Sequence, residues 1–252
     1  MATVSFSSRP SRGSEQFASQ VNRMFDRIAR RYDAMNSVMT AGLHHRWRER
    51  AAERAAVGPG DAALDVCCGT GDLALALWRR VSPGGAVTGC DFSEPMLEIA
   101  REKARGKRAD IRFDRADALD LPYEAASFDA VTVGFGVRNL ADLDRGLEEM
   151  ARVLRPGGHL VILEITQPRR PPLSIFYSLW FDRIVPLMGA LAGDRDAYTY
   201  LPQSVRSFPT PQGLASRMDA AGFDRVRVTV LAGGIIAIHS GARRGVGAGG
   251  SP

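Results

Sequence analysis

Apolar positions first recur at helical spacing: Phe17, Val21, Met24, Phe25 and Ile28 mark one face of a helix that ends near Arg31, and a second helix runs from His45 to Ala56. From residue 62 the pattern changes to short apolar runs alternating with amphipathic stretches. Strands are expected at 62–67, 86–91, 111–113, 128–135 and 159–164, with helices at 72–80, 94–105 and 142–154, the last stopped by Pro156-Gly157-Gly158. Such alternation predicts a parallel, doubly wound sheet whose ligands lie at the carboxyl ends of its strands. Residues 165–205 break the rhythm with prolines and aromatics (Phe176, Tyr177, Trp180, Phe181, Tyr198, Tyr200), too many for a flexible linker, and are read as a lid or substrate segment. A helix over 211–221, an alternating strand at Val226, Val228 and Val230, and a last strand at 235–239 close the pattern. Gly233 and Gly234 allow only a tight turn between those two strands, which makes them antiparallel partners.

At 252 residues the chain is most simply one domain, with a helical cap over 17–57, a body to residue 240, and disordered ends at 1–16 and 241–252. The net charge of +5 raises nucleic acid as a partner, but the basic residues are dispersed and nearly all Arg, with lysine only at 103 and 107, so that class is set aside. Cys67, Cys68 and Cys90 lack metal-ligand spacing and read as buried small residues of a reducing compartment, so no metal site is expected. The apolar stretch from Leu173 to Leu191 is interrupted by Asp182, Arg183 and Pro186 and cannot cross a bilayer. The protein is therefore expected in the cytoplasm, with peripheral contact at the inner face of the plasma membrane admitted.

The chemistry concentrates in Leu64-Asp65-Val66-Cys67-Cys68-Gly69-Thr70-Gly71-Asp72, a strand, a tight turn and a helix start that let backbone approach a ligand. The glycines also satisfy a dinucleotide fingerprint, with Asp91 at the right distance for a ribose acid, and so do not decide between ligands. The charges do better: Asp72 at the first helical position and Asp65 on the strand would repel phosphates, no Lys or Arg stands in the turn, and a ligand carrying an ammonium and a sulfonium suits it. S-adenosylmethionine is such a ligand. Asp91 would accept its ribose hydroxyls, and Asp117-Ala118 after the third strand would face the adenine.

Tyr32-Asp33-Ala34-Met35-Asn36, followed by Gly42, His44 and Trp47, resembles the N-terminal signature of the S-adenosylmethionine-dependent C-methyltransferases of ubiquinone and menaquinone biosynthesis. Arg152 to Gly158 continuing to Leu163-Glu164 resembles that family's second signature. Phe135-Gly136-Val137-Arg138-Asn139, Asp196 to Leu201 and Ala221-Gly222-Phe223 resemble its remaining segments, so the likeness spans roughly residues 17–240. Thr40 stands where Ser is usual, Arg155 where Lys is commoner, Thr166 where Ser is commoner, and Gly134 where many members have a cofactor-contacting Ser. The resemblance implies a Rossmann-like class I methyltransferase fold with a mostly parallel seven-stranded sheet. It implies cofactor contacts at Thr70, Asp91, Asp117 and Ala118, a backbone contact at Gly134, and, with the turn itself, Gly69 and Gly71.

The implied reaction moves a methyl group onto a ring carbon of a polyprenylated quinol, a prenylated naphthoquinol in the demethylmenaquinone branch, with ubiquinone or phylloquinone precursor rings as the alternative. Opposite charges on sulfur and on an ionised ring annihilate in the transition state, so a dry aromatic pocket and a fixed approach suffice. Arg138 is the candidate stabiliser of the ring oxyanion; His44, a lone histidine in a loop, and Tyr32 are candidates for handling the proton. A homodimer is admitted, and a nicotinamide-dependent oxidoreductase and a noncatalytic lipid-binding scaffold are the readings from other classes.

Overall fold

The computed structural model describes residues 15–168, 171–180, 183 and 195–245. Seven strands form one sheet in the order β3-β2-β1-β4-β5-β7-β6, namely β1 (Ala62–Val66), β2 (Ala86–Asp91), β3 (Arg112–Arg115), β4 (Phe128–Gly134), β5 (Leu154–Ile165), β6 (Phe223–Leu231) and β7 (Ile236–Arg243). The first five pair in parallel, and β7 runs antiparallel between β5 and β6. Eight α-helices accompany them among the described residues: α1 (Glu15–Thr40), α2 (Leu43–Arg54), α3 (Asp72–Val81), α4 (Glu94–Lys107), α5 (Leu143–Val153), α6 (Leu173–Leu179), α7 (Arg195–Arg206) and α8 (Pro211–Ala220).

β1 and β4 are apolar and buried along nearly their whole length because both sheet faces are covered. On one face α2, α3 and α4 contribute Ala51, Leu73, Leu77 and Leu97; on the other, α5 and α8 contribute Leu147, Met150, Leu214 and Met218. A third cluster joins Met24, Phe25, Ile28, Met35 and Met39 of α1 to Trp180, Tyr200 and Leu201. The cap thus packs on Trp180 and on Tyr200 and Leu201 of α7, the described parts of the 165–205 segment that enter this cluster. Phe181 and the side chains of Phe176 and Tyr198 lie outside the described residues.

Several expected boundaries move. The first helix continues past Arg31 because no breaker stands there; Met35 and Met39 extend its apolar stripe, and it stops where Ala41 and Gly42 take positive φ. His44 is consequently on α2, not in a loop. Arg155 to Gly158 lie inside β5 as a bulge, since Phe128 pairs with Leu154 and Ala130 with His159. The β6–β7 connection spans four residues between paired Leu231 and Ile236 rather than two. Glu15 and Gln16 belong to α1, and β7 runs to Arg243, where its guanidinium donates to the carbonyls of Arg152 and Leu154; hydrogen bonding therefore orders the first part of the expected tail. Residues 1–14 and 246–252, the rest of the expected disordered ends, lie outside the described residues.

Candidate active site

The strand order reverses between β1 and β4, and the crevice beyond their carboxyl ends is where an α/β sheet holds a ligand. Both strands leave it through left-handed backbone, with φ of 53° at Cys67 and 63° at Phe135. Gly69 has φ of 52°, and a Cβ there would meet nothing within 4 Å, so the turn offers open backbone to the crevice. Gly71 differs: its Cβ would stand 3.0 Å from that of Ala100 and 3.2 Å from the Phe113 ring, so it serves the packing of α3 against α4. Asp91 ends β2 with its two carboxylate oxygens accepting from the Gly69 and Ser93 amides at 2.8 and 2.9 Å, and burial raises its pKa to about 6.

Asp65 stands opposite Thr132 in the β1–β4 register, and its Oδ1 accepts from the Thr132 hydroxyl at 2.7 Å. Oδ2 is buried and has no hydrogen-bond partner among the described residues, and burial raises the carboxyl to about 7. Asp72 is not the isolated anion that the local sequence suggests. Lys103 from α4 lies 2.8 Å from its Oδ1, and Arg48 from α2 lies 3.6 Å from its Oδ2. Burial opposes ionisation of Asp72, yet Lys103 and Arg48 outweigh it and hold the carboxyl below its usual range. Asp72 therefore repels phosphates less than its turn alone implies, because tertiary contacts bring the cations that the turn lacks. Asp65 and Asp91 are the crevice carboxylates with no ion-pair partner among the described residues, and burial disfavours the ionised form of both.

α1 roofs this turn. Asp33 accepts from the Thr70 hydroxyl at 2.6 Å and pairs with Lys103 at 2.6 Å, and Asp26 accepts from the Ser93 hydroxyl at 2.6 Å. Two small cavities remain beneath the roof. One, of ≈ 40 Å³, is lined by Asp91, Phe92, Met96 and Leu140, and the other, of ≈ 20 Å³, by Arg48, Asp65, Thr70 and Asp72; Tyr32, Gly69, Cys67 and Gly134 border both. A Cβ at Gly134 would come within 3.2 Å of Leu73 Cδ2, so a serine there would require Leu73 to give way.

On the other side of Tyr32 lies a much larger, mainly apolar cavity of ≈ 400 Å³ between α1, α2, α6, α7 and the sheet ends. Met24, Ile28, Met39, Trp47, Trp180 and Ile236 contribute to its wall, with Arg138 and His44 among its few polar groups. Arg138, on a 3-10 turn at Val137–Asn139, is buried; it donates to Glu164 Oε1 at 2.7 Å and to the Phe135 carbonyl at 2.5 Å. Burial would lower its pKa, but Glu164, with Tyr32 and Tyr200 nearby, raises it. The guanidinium is therefore a permanent donor whose charge Glu164 balances.

His44 is recast by the fold. Its Nδ1 meets Arg48 Nη1 in a hydrogen bond and its Nε2 lies 3.1 Å from the Ser37 hydroxyl; burial, then Arg48, lowers its pKa to about 4. A neutral imidazole accepting from Arg48 has committed the lone pair that a general base needs. His44, His45 and Asp72 bring donor atoms within 4.8 Å of one another, but Arg48 already supplies the cation there, so the arrangement does not suit a metal. All three cysteines are free, and burial pushes the thiols of Cys67 and Cys68 up.

Of the residues expected from sequence, Tyr32, Gly69, Thr70, Asp91 and Gly134 converge on the crevice, and Arg138 and His44 on the larger cavity. Gly71, Asp117 and Ala118 border none of these three spaces. Asp117 is exposed and caps its own turn by accepting from the Leu119 amide, while Ala118 is buried in the core. Sequence reasoning missed Arg48, Lys103 and the role of Glu164. A carboxylate closing the apolar run Leu160 to Leu163 was a signal that Glu164 needs a buried partner; nothing in the local sequence marks Arg48 or Lys103.

The model of the ubiE/COQ5 methyltransferase family matches residues 13–243. A Thermus thermophilus protein named demethylmenaquinone methyltransferase is 47% identical over 221 residues, 87% of this chain and 100% of its own; a Staphylococcus aureus protein of the same name is 44% identical over 223 residues, 88% and 92%. Among solved structures, the [4+2]-cyclase SpnF superposes with a TM-score of 0.65 at 20% identity over 93% of this chain and 97% of its own. An Aquifex aeolicus SAM-dependent methyltransferase superposes with 0.58 at 19% over 77% and 88%. At such identity these structures establish the fold alone; that a cyclase shares it underlines that the site, not the fold, carries function.

Proposed function

The chain belongs to the ubiE/COQ5 methyltransferase family, and from that premise we propose that it methylates a ring carbon of a polyprenylated demethylmenaquinol, with S-adenosylmethionine as methyl donor. The observation that carries this reading is that Tyr32 borders both the glycine-turn crevice and the large apolar cavity, so a cationic nucleoside and a greasy ring would meet across one side chain. The crevice carries the groups the donor needs: Asp65 Oδ2 is buried without a partner among the described residues, Gly69 leaves space where a side chain would stand, and Asp91 keeps lone pairs for ribose hydroxyls after accepting two amides. When bound, S-adenosylmethionine supplies an activated methyl group on a positively charged sulfur.

The residues of the chain do the rest. The apolar wall excludes water, which strengthens every electrostatic interaction inside. Arg138, held by Glu164 and the Phe135 carbonyl, presents donors to an ionising ring oxygen, directly or through water, and does so without reorganising. Because Glu164 neutralises it, Arg138 contributes oriented hydrogen bonds more than net charge. His44 positions Arg48. Thr70, Asp91 and the Gly69 and Gly134 backbones hold the donor.

Residues 17–240 then act as one methyltransferase domain, with 17–57 as cap and 165–205 as substrate insertion. At ≈ 400 Å³ the cavity takes a ring and the first part of a tail, and the remainder must leave it. Exposed Val38 and Leu43 sit on its rim, and α6 turns Tyr177 inward while exposing Ile175 and Leu179. This apolar edge suits peripheral contact with a bilayer that holds the tail. No helix among the described residues is long and apolar enough to cross one. Incubation with S-adenosylmethionine and a reduced demethylmenaquinone in detergent, followed by mass spectrometry, is expected to yield a product heavier by one methyl substitution. Turnover of a benzoquinol precursor but not the naphthoquinol would overturn the choice of ring.

A further inference from the structure

Arg48 is a buried cation, 7% exposed, carried by the helical cap to the wall of the ≈ 20 Å³ cavity beside the glycine turn. Its Nη1 is held by His44 Nδ1, and its guanidinium lies 5.5 Å from the centroid of the Phe135 ring. The nearest carboxylate among the described residues, Asp72, is 3.6 Å away and beyond a hydrogen bond. A guanidinium has five N–H donors in a fixed fork, which matches a carboxylate in two-point contact. The other cation at this turn cannot serve. Lys103 has three donors, and Asp33 Oδ2 at 2.6 Å, Asp72 Oδ1 at 2.8 Å and Thr70 Oγ1 at 3.0 Å take all three.

The same cavity is bordered by Asp65, whose Oδ2 lacks a partner among the described residues. One small space therefore offers an anchored fork of donors and an unused carboxylate oxygen, the complement of a zwitterion that carries an ammonium and a carboxylate on one carbon. Its volume, about that of one or two water molecules, suits the end of a ligand and not a ring. We propose that Arg48 binds the α-carboxylate at the amino-acid end of S-adenosylmethionine, with Asp65 receiving the adjacent ammonium. This assignment rests on the cofactor reading above and adds to it a residue from the cap. It also gives His44 its place, as the positioning residue that fixes the Arg48 fork.

The test is calorimetric binding by the full chain of two ligands, S-adenosylhomocysteine and the analogue that keeps the ammonium but lacks the carboxylate. Arg48→Met is expected to weaken the first by about 10- to 100-fold, the loss of a charge-assisted contact, and to change the second by no more than about twofold. Arg48→Lys, which keeps the charge and loses the fork, is expected to recover part of the affinity for the first ligand only; should Arg48→Met not fold by circular dichroism, the same selective loss in Arg48→Lys carries the test. Equal weakening of both ligands, or of neither, overturns the assignment. A parent protein that binds neither ligand overturns the cofactor reading itself, a pattern distinct from a parent that binds both while Arg48 variants fail to discriminate.

Discussion

Asp65→Asn is the most informative single change, because Asp65 is fully buried and its carboxyl sits at about 7 against an unfolded-state value of 3.8. The native state binds this proton more tightly than the unfolded chain does, so stability is present below 3.8, falls as pH rises from there, and the loss is complete above about 7, the reverse of the behaviour of a salt-bridged carboxylate. At 1.36 kcal/mol per pH unit the full loss is about 4 kcal/mol, and the part that falls between pH 5 and pH 8 is roughly 2.5 kcal/mol. Asparagine keeps an oxygen for the Thr132 hydroxyl but places an amide donor where Oδ2 lacked a partner, at a pH-independent cost of about 1–3 kcal/mol. Urea unfolding of the ligand-free chain isolates the pH-dependent part: relative to the parent, the variant should gain roughly 2.5 kcal/mol on going from pH 5 to pH 8. Affinity for S-adenosylmethionine at pH 8 should fall at the same time by about tenfold or more, since the ammonium loses its counter-charge. A stability difference that is the same at both pH values would refute the argument, because it would mean that Asp65 ionises in the fold without penalty.

Asp91→Ala removes the acceptor of the Gly69 and Ser93 amides as well as the ribose contact, and calorimetry should detect no S-adenosylmethionine binding; retained affinity would place the nucleoside elsewhere. Glu164→Gln leaves Arg138 buried without its counter-charge and should cost about 3–5 kcal/mol in denaturant unfolding, with reduced turnover in the surviving folded protein. The two cavities under α1 are far smaller than the roughly 300 Å³ of a ligand-sized pocket, so the helix has to lift for a nucleoside to enter. Asp26→Ala combined with Asp33→Ala, which cuts the ties to Ser93, Thr70 and Lys103, should therefore speed association in stopped-flow fluorescence; unchanged rate constants would show that α1 does not gate the crevice. Ile175→Glu with Leu179→Glu on the exposed face of α6 should lower recovery of the protein with liposomes and its activity on long-tailed substrate, while a short-tailed substrate in detergent is turned over as before; equal liposome recovery would remove α6 from any membrane contact.

The sheet and its order of elements were legible because each strand and helix is encoded by near-neighbour periodicity. Leu64 to Val66, Val87, Gly89 and Cys90, and Ala130 to Val133 are buried on both faces wherever helices cover a parallel sheet, and the helices between them show their own apolar stripe. The glycine turn was equally local, since φ of 52° at Gly69 and 81° at Gly71 is a property of the residue as much as of the fold. What local reading could not supply was the partner of each charge. Asp72 looks solitary in its turn, yet Lys103 lies 31 residues away along the chain and meets it at 2.8 Å; Glu164 looks like the end of a strand, yet it holds Arg138 across 26 residues. His44 carried the ordinary pKa of its residue type in the sequence, and burial beside Arg48 changed it.

Left to itself, then, the chain's order of apolar and polar residues settled the α/β architecture, the position of the turn and, through its signatures, the family. Packing in three dimensions decided which side of Tyr32 is polar and which is apolar, and that Gly71 serves the core while Gly69 faces the crevice. The reason is physical: backbone conformation and amphipathic spacing depend on neighbours within a few residues, whereas desolvation and Coulomb interaction depend on whatever the fold brings within a few ångströms.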